Sequence, residues 1–282
     1  MLRSSVRVLG TADLEEALSV CGRDPVANVF VEARLRAHGL GRRAGGQLWG
    51  FSRGGSLSSL CWSGANLVPI QADAEAIEAF AARARRQGRQ CSSIVGPASP
   101  ALRLWELLSP YWGRPRDIRA DQPLMQISGP PTVEPDPHVR PAVNGELDSV
   151  VSACVAMFTE EVGYSPVAMD GGSLYRSQVA ALVIGDRSLV RMTDTSAGRE
   201  VVFKAEIGSV APKVAQLQGV WVNPRWRGQG LAEPGMAAVV RYTQLHLAPV
   251  VSLYVNDYNH RAIRVYERVG FERVGTFATV LF

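Results

Sequence analysis

The pattern of apolar and polar positions predicts a mixture of strands and helices in the second half of the chain. Residues 147–161 carry apolar side chains at helical spacing, with Val150, Val151, Cys154 and Phe158 on one side. The remaining segments predict helices at 230–247 and 258–268, and strands at 139–143, 180–185, 190–193, 200–207, 216–222, 250–255 and from 273 towards 282. Strand–helix crossovers near the end predict a mixed, partly parallel sheet with helices on its faces, which is an α/β fold.

The first half has a similar succession of elements. Its segments predict helices at 12–21, 25–38, 74–87 and 100–111, and strands at 5–9, 47–52, 56–62, 66–70 and 93–96. Residues 4–9 and 138–143 open the two halves with similar patterns, which suggests two copies of one fold.

A proline-rich stretch, residues 128–138, separates the halves. Its four prolines and one glycine in eleven residues exclude a regular helix or a central strand. We therefore predict a first domain at 1–128, an extended linker at 129–138 and a second domain at 139–282.

The charge of the chain does not by itself indicate a partner. A net charge of +4 and a sequence pI near 9.0 would permit nucleic-acid binding, but the basic residues are scattered along the sequence. We expect no nucleic-acid partner, and a modest positive field also suits a polyanionic cofactor.

The cysteines and the hydropathy favour a cytoplasmic protein. The four cysteines lack metal-like spacing and stand in apolar or small-residue surroundings, which predicts buried free thiols and no metal site: Cys21, Cys61, Cys91 and Cys154. No apolar run approaches the ~18 residues of a membrane helix. The first ten residues also lack the apolar core of a signal peptide.

The segment 220–232 carries the clearest chemistry. A predicted strand ends at Val222, a proline turn follows, and two glycines precede a predicted helix. Glycines let the backbone approach a ligand closely, and a new helix presents unpaired N–H groups and its positive dipole end. Residues 227–232 are therefore predicted to bind phosphate, and we name them the phosphate loop. Arg225 and Arg227 are placed to reach phosphate oxygens.

The same segment also fits a plain strand–turn–helix joint whose glycines serve close packing. No Gly-Lys-Ser/Thr follows the glycines, which disfavours a P-loop nucleotidase. The glycine spacing of dinucleotide-binding folds is missing as well.

A second segment, 253–271, predicts a helix with a chemically useful face. Asn259 and Tyr266 are seven residues apart, so they project from the same side of that helix. A tyrosine at this spacing also fits an ordinary core position.

Together the two segments resemble the GCN5-related N-acetyltransferase (GNAT) superfamily over about residues 138–282. The acyl-CoA signature Arg/Gln-x-x-Gly-x-Gly/Ala is similar to Arg227-Gly228-Gln229-Gly230-Leu231-Ala232, after Val222-Asn223-Pro224. The later pattern Asn-x-x-Ala-x-x-x-Tyr-x-x-x-Gly-Phe is similar to Asn259, Ala262, Tyr266, Gly270 and Phe271.

The resemblance implies an acyl-CoA N-acyltransferase fold and acetyl-CoA as cosubstrate. It implies that the backbone of Val220, Trp221 and Val222 contacts the pantetheine and the acetyl carbonyl, beside a point where the strand splays from its neighbour. It implies that the pyrophosphate is held by Arg227, Gly228, Gln229, Gly230, Leu231, Ala232 and Glu233. Asn259 would contact the pantetheine arm, and Tyr266 would protonate the departing thiolate, whose pKa of ~8.5 makes it a tolerable leaving group.

The acceptor amine needs a base, and several carboxylates are candidates. An alkylamine has a pKa of ~10.4, so most alkylamines must lose a proton before they attack. Glu206, on the strand before the cofactor strand, is the first candidate, and Glu160 and Glu161 follow. Each also fits an ordinary solvated carboxylate. Trp221, Trp226 and the loop 158–164 are candidates for lining the acceptor site.

The first half lacks both signatures. The resemblance therefore implies a tandem protein of the two-domain actinobacterial type with a degenerate first GNAT-like domain, which walls the acceptor site or forms an interface. The leading hypothesis is acetyl transfer from acetyl-CoA to a primary amine of a small molecule or peptide. An acyl-CoA sensor without turnover and a Fem-like aminoacyl transferase are the alternatives, and the oligomeric state stays open.

Overall fold

A computed structural model describes residues 5–41, 45–163, 165–167, 172–196 and 198–282. The chain divides into two compact units. The first is built from the residues up to Met125 together with Tyr254–Asn259 and Arg273–Phe282, and the second from Gln126–Leu253 and His260–Glu272. Two segments from the predicted second domain, 139–282, therefore pack within the first unit.

The first unit is a mixed sheet with four helices. Its helices are α1 (Leu14–Cys21), α2 (Pro25–His38), α3 (Ala74–Gln87) and α4 (Ala98–Trp112). Its strands are β1 (Ser5–Val8), β2 (Gly46–Arg53), β3 (Ser56–Gly64), β4 (Asn66–Ile70), β5 (Ser93–Pro97), most of β6 (Asp117–Ile127) and most of β12 (Glu272–Leu281). The strand order is β1-β2-β3-β4-β5-β12-β6. Strands β4 and β5 are parallel, and β12 pairs antiparallel with β5.

Helices cover both faces of this sheet. Along β2, Leu48 packs in the cluster that includes residues of α1 and α2, whereas Trp49 packs in the cluster that includes α3 and α4. Successive side chains of a strand point to opposite faces, so this alternation shows a sheet buried on both sides.

The second unit contains the segments that carry the candidate chemistry. Its strands are β7 (Arg140–Pro141), β8 (Ser188–Thr195), β9 (Gly198–Val210), β10 (Val214–Val222) and most of β11 (Val250–Tyr254). Its helices are α5 (Leu147–Val162), α6 (Ser173–Ile184), α7 (Ala232–His246) and α8 (His260–Val269). The order β11-β10-β9-β8-β7 contains one parallel pair, β10 with β11. The predicted α/β class with a mixed sheet is confirmed.

One predicted strand of the second unit is a helix. Residues 180–185 form the end of α6 and its cap, not a strand. Val179 and Val183 are four residues apart and buried, whereas Ile184 is 72% exposed, which is the burial pattern of a helix. A short apolar run does not distinguish a strand from one buried helix face.

The proline-rich stretch is fixed to the second unit. The backbone N–H of Thr132 donates to the carbonyl of Val269 (3.0 Å). Asp136 is buried; its N–H donates to the carbonyl of Pro234 (3.0 Å), and its carboxylate pairs with Arg191 (2.7 Å).

The four cysteines are buried free thiols, as predicted. Within the described ranges, no helix has the length and apolarity to cross a membrane, and no group of three His, Cys, Asp or Glu side chains could hold a metal ion.

Candidate functional site

The site begins where β10 separates from its parallel neighbour. Val214, Ala215 and Gln216 pair with residues 250–252 of β11, and in the described chain the paired register ends there, although β10 continues to Val222. The expected divergence beside Val222 is therefore present. It leaves one edge of residues 217–222 available for backbone hydrogen bonds to a ligand.

A β-bulge interrupts the other edge of β10. Gln218 faces Glu206 of β9 and Trp221 faces Lys204, so Gly219 and Val220 together oppose a single residue. Gly219 has φ +60°, in the left-handed region. A Cβ atom there would lie 2.6 Å from Oε2 of Glu206, so this position requires glycine for its backbone conformation and for space.

A buried ion pair lies against this bulge. The Nζ atom of Lys204, which has no solvent exposure, lies 2.8 Å from Oε1 of Glu206 and donates to the carbonyl of Gly219 at 2.8 Å. Burial is the largest single effect and lowers the pKa of Lys204, but the charges and hydrogen bonds of Glu206 and Cys154 together outweigh it. The pKa is therefore raised and the ammonium is kept. The thiol of Cys154 donates to Oε1 of Glu206 (2.9 Å), and burial raises the pKa of that thiol to about 12.

The phosphate loop follows β10 through one 3-10 turn, Pro224–Trp226. The side chain of Asn223 caps this turn by accepting from the N–H of Arg225 at 3.1 Å. Gly228 and Gly230 then adopt φ +79° and +73°, and no atom lies within 4 Å of where their Cβ atoms would be. The backbone here is exposed and directly precedes α7, as a phosphate-binding loop requires.

Arg225, just before the phosphate loop, and Arg227, its first residue, are both paired with carboxylates. Arg227 forms a bidentate pair with Glu160 at the end of α5 (2.8 and 2.7 Å), and its Nε donates to the carbonyl of Val222 (3.0 Å). The Arg227 hydrogen bonds hold the pKa of Glu160 below its usual value. The indole of Trp221 also donates to Glu160 (3.2 Å), and Arg225 pairs with Glu200. Reaching a phosphate would require either arginine to exchange its partner.

Tyr266 lies on α8 and is only 7% exposed. Burial raises the pKa of its phenol far above the usual value, and the charge of Glu161 adds to the rise. The phenol therefore keeps its proton at neutral pH. Asn259 immediately precedes α8, and its backbone N–H donates to the carbonyl of Asn256 (2.9 Å).

The sequence reasoning missed the role of Lys204 and Gly219. A glycine inside an otherwise regular strand pattern indicates a bulge, and residues 216–222 contain one. A lysine two residues before a glutamate, within the apolar run 201–207, indicates a buried ion pair. Tyr164, from the loop considered for the acceptor site, lies outside the described residues.

Comparisons with known proteins concern the family and the fold. Residues 186–271 match the acetyltransferase (GNAT) family, and residues 46–150 match a domain of unknown function, DUF4081. A search of curated proteins gives no match.

Solved structures are similar over almost the whole chain. A GCN5-related N-acetyltransferase from Sphaerobacter thermophilus is 18% identical, with a TM-score of 0.63 and coverage of 100% of this chain and 96% of that one. A tandem GNAT protein from the clavulanic acid biosynthesis pathway is 14% identical, with a TM-score of 0.57 and coverage of 99% and 98%. A GNAT-family acetyltransferase from Colwellia psychrerythraea is 12% identical, with a TM-score of 0.56 and coverage of 99% of each chain.

At these identities the structures are evidence of a shared fold. The resemblance inferred from the two motifs is confirmed, and the DUF4081 match fits a divergent first domain. The second half of the chain contains a domain of the acetyltransferase (GNAT) family, and the chain as a whole has the fold of GNAT acetyltransferases.

Proposed function

We propose that the protein transfers an acetyl group from acetyl-CoA to a primary amine, at a site on the second unit. One observation carries the proposal. A single strand, β10, diverges from its parallel neighbour, contains a bulge and leads directly into the exposed glycine loop. The bulge, the open edge that continues to Val222 and the phosphate loop thus follow one another along the chain. This is the order of the acyl group, the pantetheine arm and the pyrophosphate in an extended acyl-CoA.

The residues present fit such a cosubstrate. The phosphate loop exposes backbone at Gly228, Gln229 and Gly230, with no side chain filling the space above the two glycines. The first amide groups of α7, from Leu231 through Glu233, add unpaired donors and the positive dipole end. We propose that these residues, with Arg227, hold the pyrophosphate.

The remaining cosubstrate contacts on the second unit come from β10. The backbone of Val220, Trp221 and Val222 would bind the pantetheine amides on the open edge of β10, and a contact from Asn259 stays a prediction from the motif alone. Backbone amides are suitable donors here, because they are preorganised and lose little entropy on binding.

The reaction proposed is direct attack of the amine nitrogen on the thioester carbon. The new C–N bond forms, the C–S bond breaks, and the sulfur leaves as a thiolate. A backbone amide of the bulge would stabilise the negative charge that develops on the carbonyl oxygen. Tyr266, which keeps its proton, would donate a hydrogen bond to the departing sulfur. Because burial raises the pKa of this phenol above that of a thiol, its role as general acid also requires the bound cosubstrate to lower that pKa.

The amine loses one proton to a base, for which Glu206 is the predicted residue. Glu206 is 6% exposed and its carboxylate is already bound to Lys204 and Cys154, so proton transfer to it needs a bridging water. Glu160 is about half exposed but is paired with Arg227. Amines of low pKa, such as α-amines at ~7.7–8.0, are already partly deprotonated at neutral pH and depend least on either carboxylate to remove a proton.

The test is a coupled binding and turnover experiment on the full chain. Calorimetry would measure acetyl-CoA binding, and a thiol-release assay with mass spectrometry would follow transfer to a panel of α-amines, alkylamines and peptides. We expect saturable binding, and thiol release that depends on an amine. Binding without release on any amine would instead support an acyl-CoA sensor, and a lack of binding would refute the proposal.

A further inference from the structure

Lys204 occupies an unusual place for a lysine. Its ammonium has no solvent exposure and lies among Glu206, Cys154 and the bulge of β10. Removing a charge from water costs several kcal/mol, and a buried ion pair recovers that cost only when its geometry is good. Replacing such pairs by apolar residues is often neutral or stabilising. Stability alone therefore gives little reason for this lysine.

The third partner of the ammonium indicates another role. Nζ donates to the carbonyl oxygen of Gly219 at 2.8 Å. In a planar trans peptide the carbonyl and the following N–H point in opposite directions, so the N–H of Val220 points away from Lys204. Nζ of Lys204 also lies 3.5 Å from Sδ of Met157 in α5, so it is on the face of the sheet that α5 covers. The Val220 amide is therefore directed away from that face. Val220 lies outside the paired register with β9, on the part of β10 that has separated from β11.

The orientation of the Gly219–Val220 peptide needs to be fixed by its surroundings. Gly219 lacks a side chain, so its backbone alone would tolerate several orientations of the Gly219–Val220 peptide. Glu206 fixes the ammonium at 2.8 Å, and the ammonium fixes the carbonyl. Both side chains fill the space beside Gly219, with Oε2 of Glu206 and Nζ of Lys204 at 2.6 and 3.1 Å from its virtual Cβ.

We propose that Lys204 is a positioning residue that, with Glu206 as its counter-ion, orients the Val220 amide towards the acetyl carbonyl of the cosubstrate. The inference rests on the proposed function. It assigns Glu206 a role in holding Lys204, in place of direct proton removal from the amine.

The test compares Lys204→Met, Glu206→Gln and the double variant, which replaces the ion pair by neutral groups of similar size. In the double variant no buried charge is left without a partner, so we expect the fold to be retained. Lys213→Met, the same change at an exposed site, and Arg140→Met, which removes a partner of the buried carboxylate of Glu146, serve as controls.

Loss of a properly aimed amide should lower kcat by about 10- to 100-fold in the two variants that lack Lys204, somewhat less than outright removal of an oxyanion donor. The Kd for acetyl-CoA should change by less than about twofold, because only the transition-state contact is affected. Glu206→Gln keeps the lysine and its bond to Gly219, so it should retain more activity than Lys204→Met and keep the shape of the pH profile. The controls should keep kcat.

A spectroscopic readout separates positioning from stability and does not require turnover. Infrared difference spectra with acetyl-CoA labelled with ¹³C at the carbonyl should show a lowered thioester stretch when bound to the unaltered protein, and a stretch near the free value in the double variant. An unchanged stretch and kcat in the double variant would refute the positioning role. A larger loss in Glu206→Gln than in Lys204→Met, with loss of the acidic limb of the pH profile, would refute it in favour of Glu206 as the base. Lack of acetyl-CoA binding by the unaltered protein would overturn the proposed function and this inference together.

Discussion

Replacing Gly219 by alanine probes the packing beneath the bulge of β10. The substitution adds one methyl group at φ +60°, where an L-residue is strained. That methyl group would lie 2.6 Å from Oε2 of Glu206, 3.1 Å from Nζ of Lys204 and 3.2 Å from the carboxyl carbon of Glu206. Both neighbours are buried and bound to each other, so neither can move aside freely.

The expected cost has two parts. The left-handed backbone costs alanine about 1–2 kcal/mol. Overpacking of a filled interior adds about 1–3 kcal/mol. The free energy of unfolding should therefore fall by roughly 2–5 kcal/mol, which is a large share of the about 5–15 kcal/mol of a typical domain. The corresponding fall in Tm is roughly 5–15 °C.

Gly163→Ala is the matched control for this experiment. Gly163 caps α5 in the same unit with φ +85°, and nothing lies within 4 Å of its virtual Cβ. Alanine at this position adds only the backbone strain of about 1–2 kcal/mol, so Tm should fall by roughly 3–6 °C. Thermal unfolding followed by circular dichroism or calorimetry would measure both variants. Equal losses of Tm in the two variants would refute the packing described for the bulge.

Three further predictions concern the cosubstrate site. Tyr266→Phe should lower kcat by about 10²-fold or more, the usual contribution of a positioned acid, with acetyl-CoA affinity retained in calorimetry; an unchanged kcat would remove the phenol from the mechanism. Gly230→Glu should abolish acetyl-CoA binding, because the added carboxylate repels the phosphates. Gly230→Ala adds only backbone strain and should keep measurable binding. The space around Gly230 is open, so similar Tm values for the two variants would show that they differ in binding and not in stability. Glu160→Gln should tighten acetyl-CoA binding by up to about fivefold, because it frees Arg227 from an exposed pair that contributes at most about 1 kcal/mol. The pKa of Glu160 is lowered, so its pair with Arg227 is intact at neutral pH and is lost only as the pH falls through that pKa. An NMR titration of Glu160 should therefore give a pKa below 4.5, and this pKa should rise in Arg227→Gln.

Local patterns in the sequence were sufficient for most of the secondary structure and for the position of the glycine turn between β10 and α7. The helix α7 and the strands β9 and β10 lie close to their predicted segments, since apolar periodicity is set by the face that each element buries. The loop between β10 and α7 was predictable because its backbone needs left-handed φ values. Glycine adopts such values readily, so the need is visible in the sequence as glycines.

Features that depend on distant contacts were not predictable. The segments 254–259 and 273–282 pack within the first unit, where β12 pairs with β5, and no local periodicity encodes that partner. The end of α6 was mistaken for a strand because only its packing distinguishes the two. Glu206 was predicted to be a base from its place on a strand. Its ion pair with Lys204 and its hydrogen bond from Cys154 depend on tertiary packing around the bulge, which the sequence pattern does not give.

The candidate donor site is built mainly from backbone. The divergence of β10, the Val220 amide, the left-handed glycines and the first turn of α7 all act through main-chain atoms. Such a site fixes the identity of few side chains, mainly glycines where φ or space demands them. A site of this kind is compatible with a fold that is shared by chains only 12–18% identical.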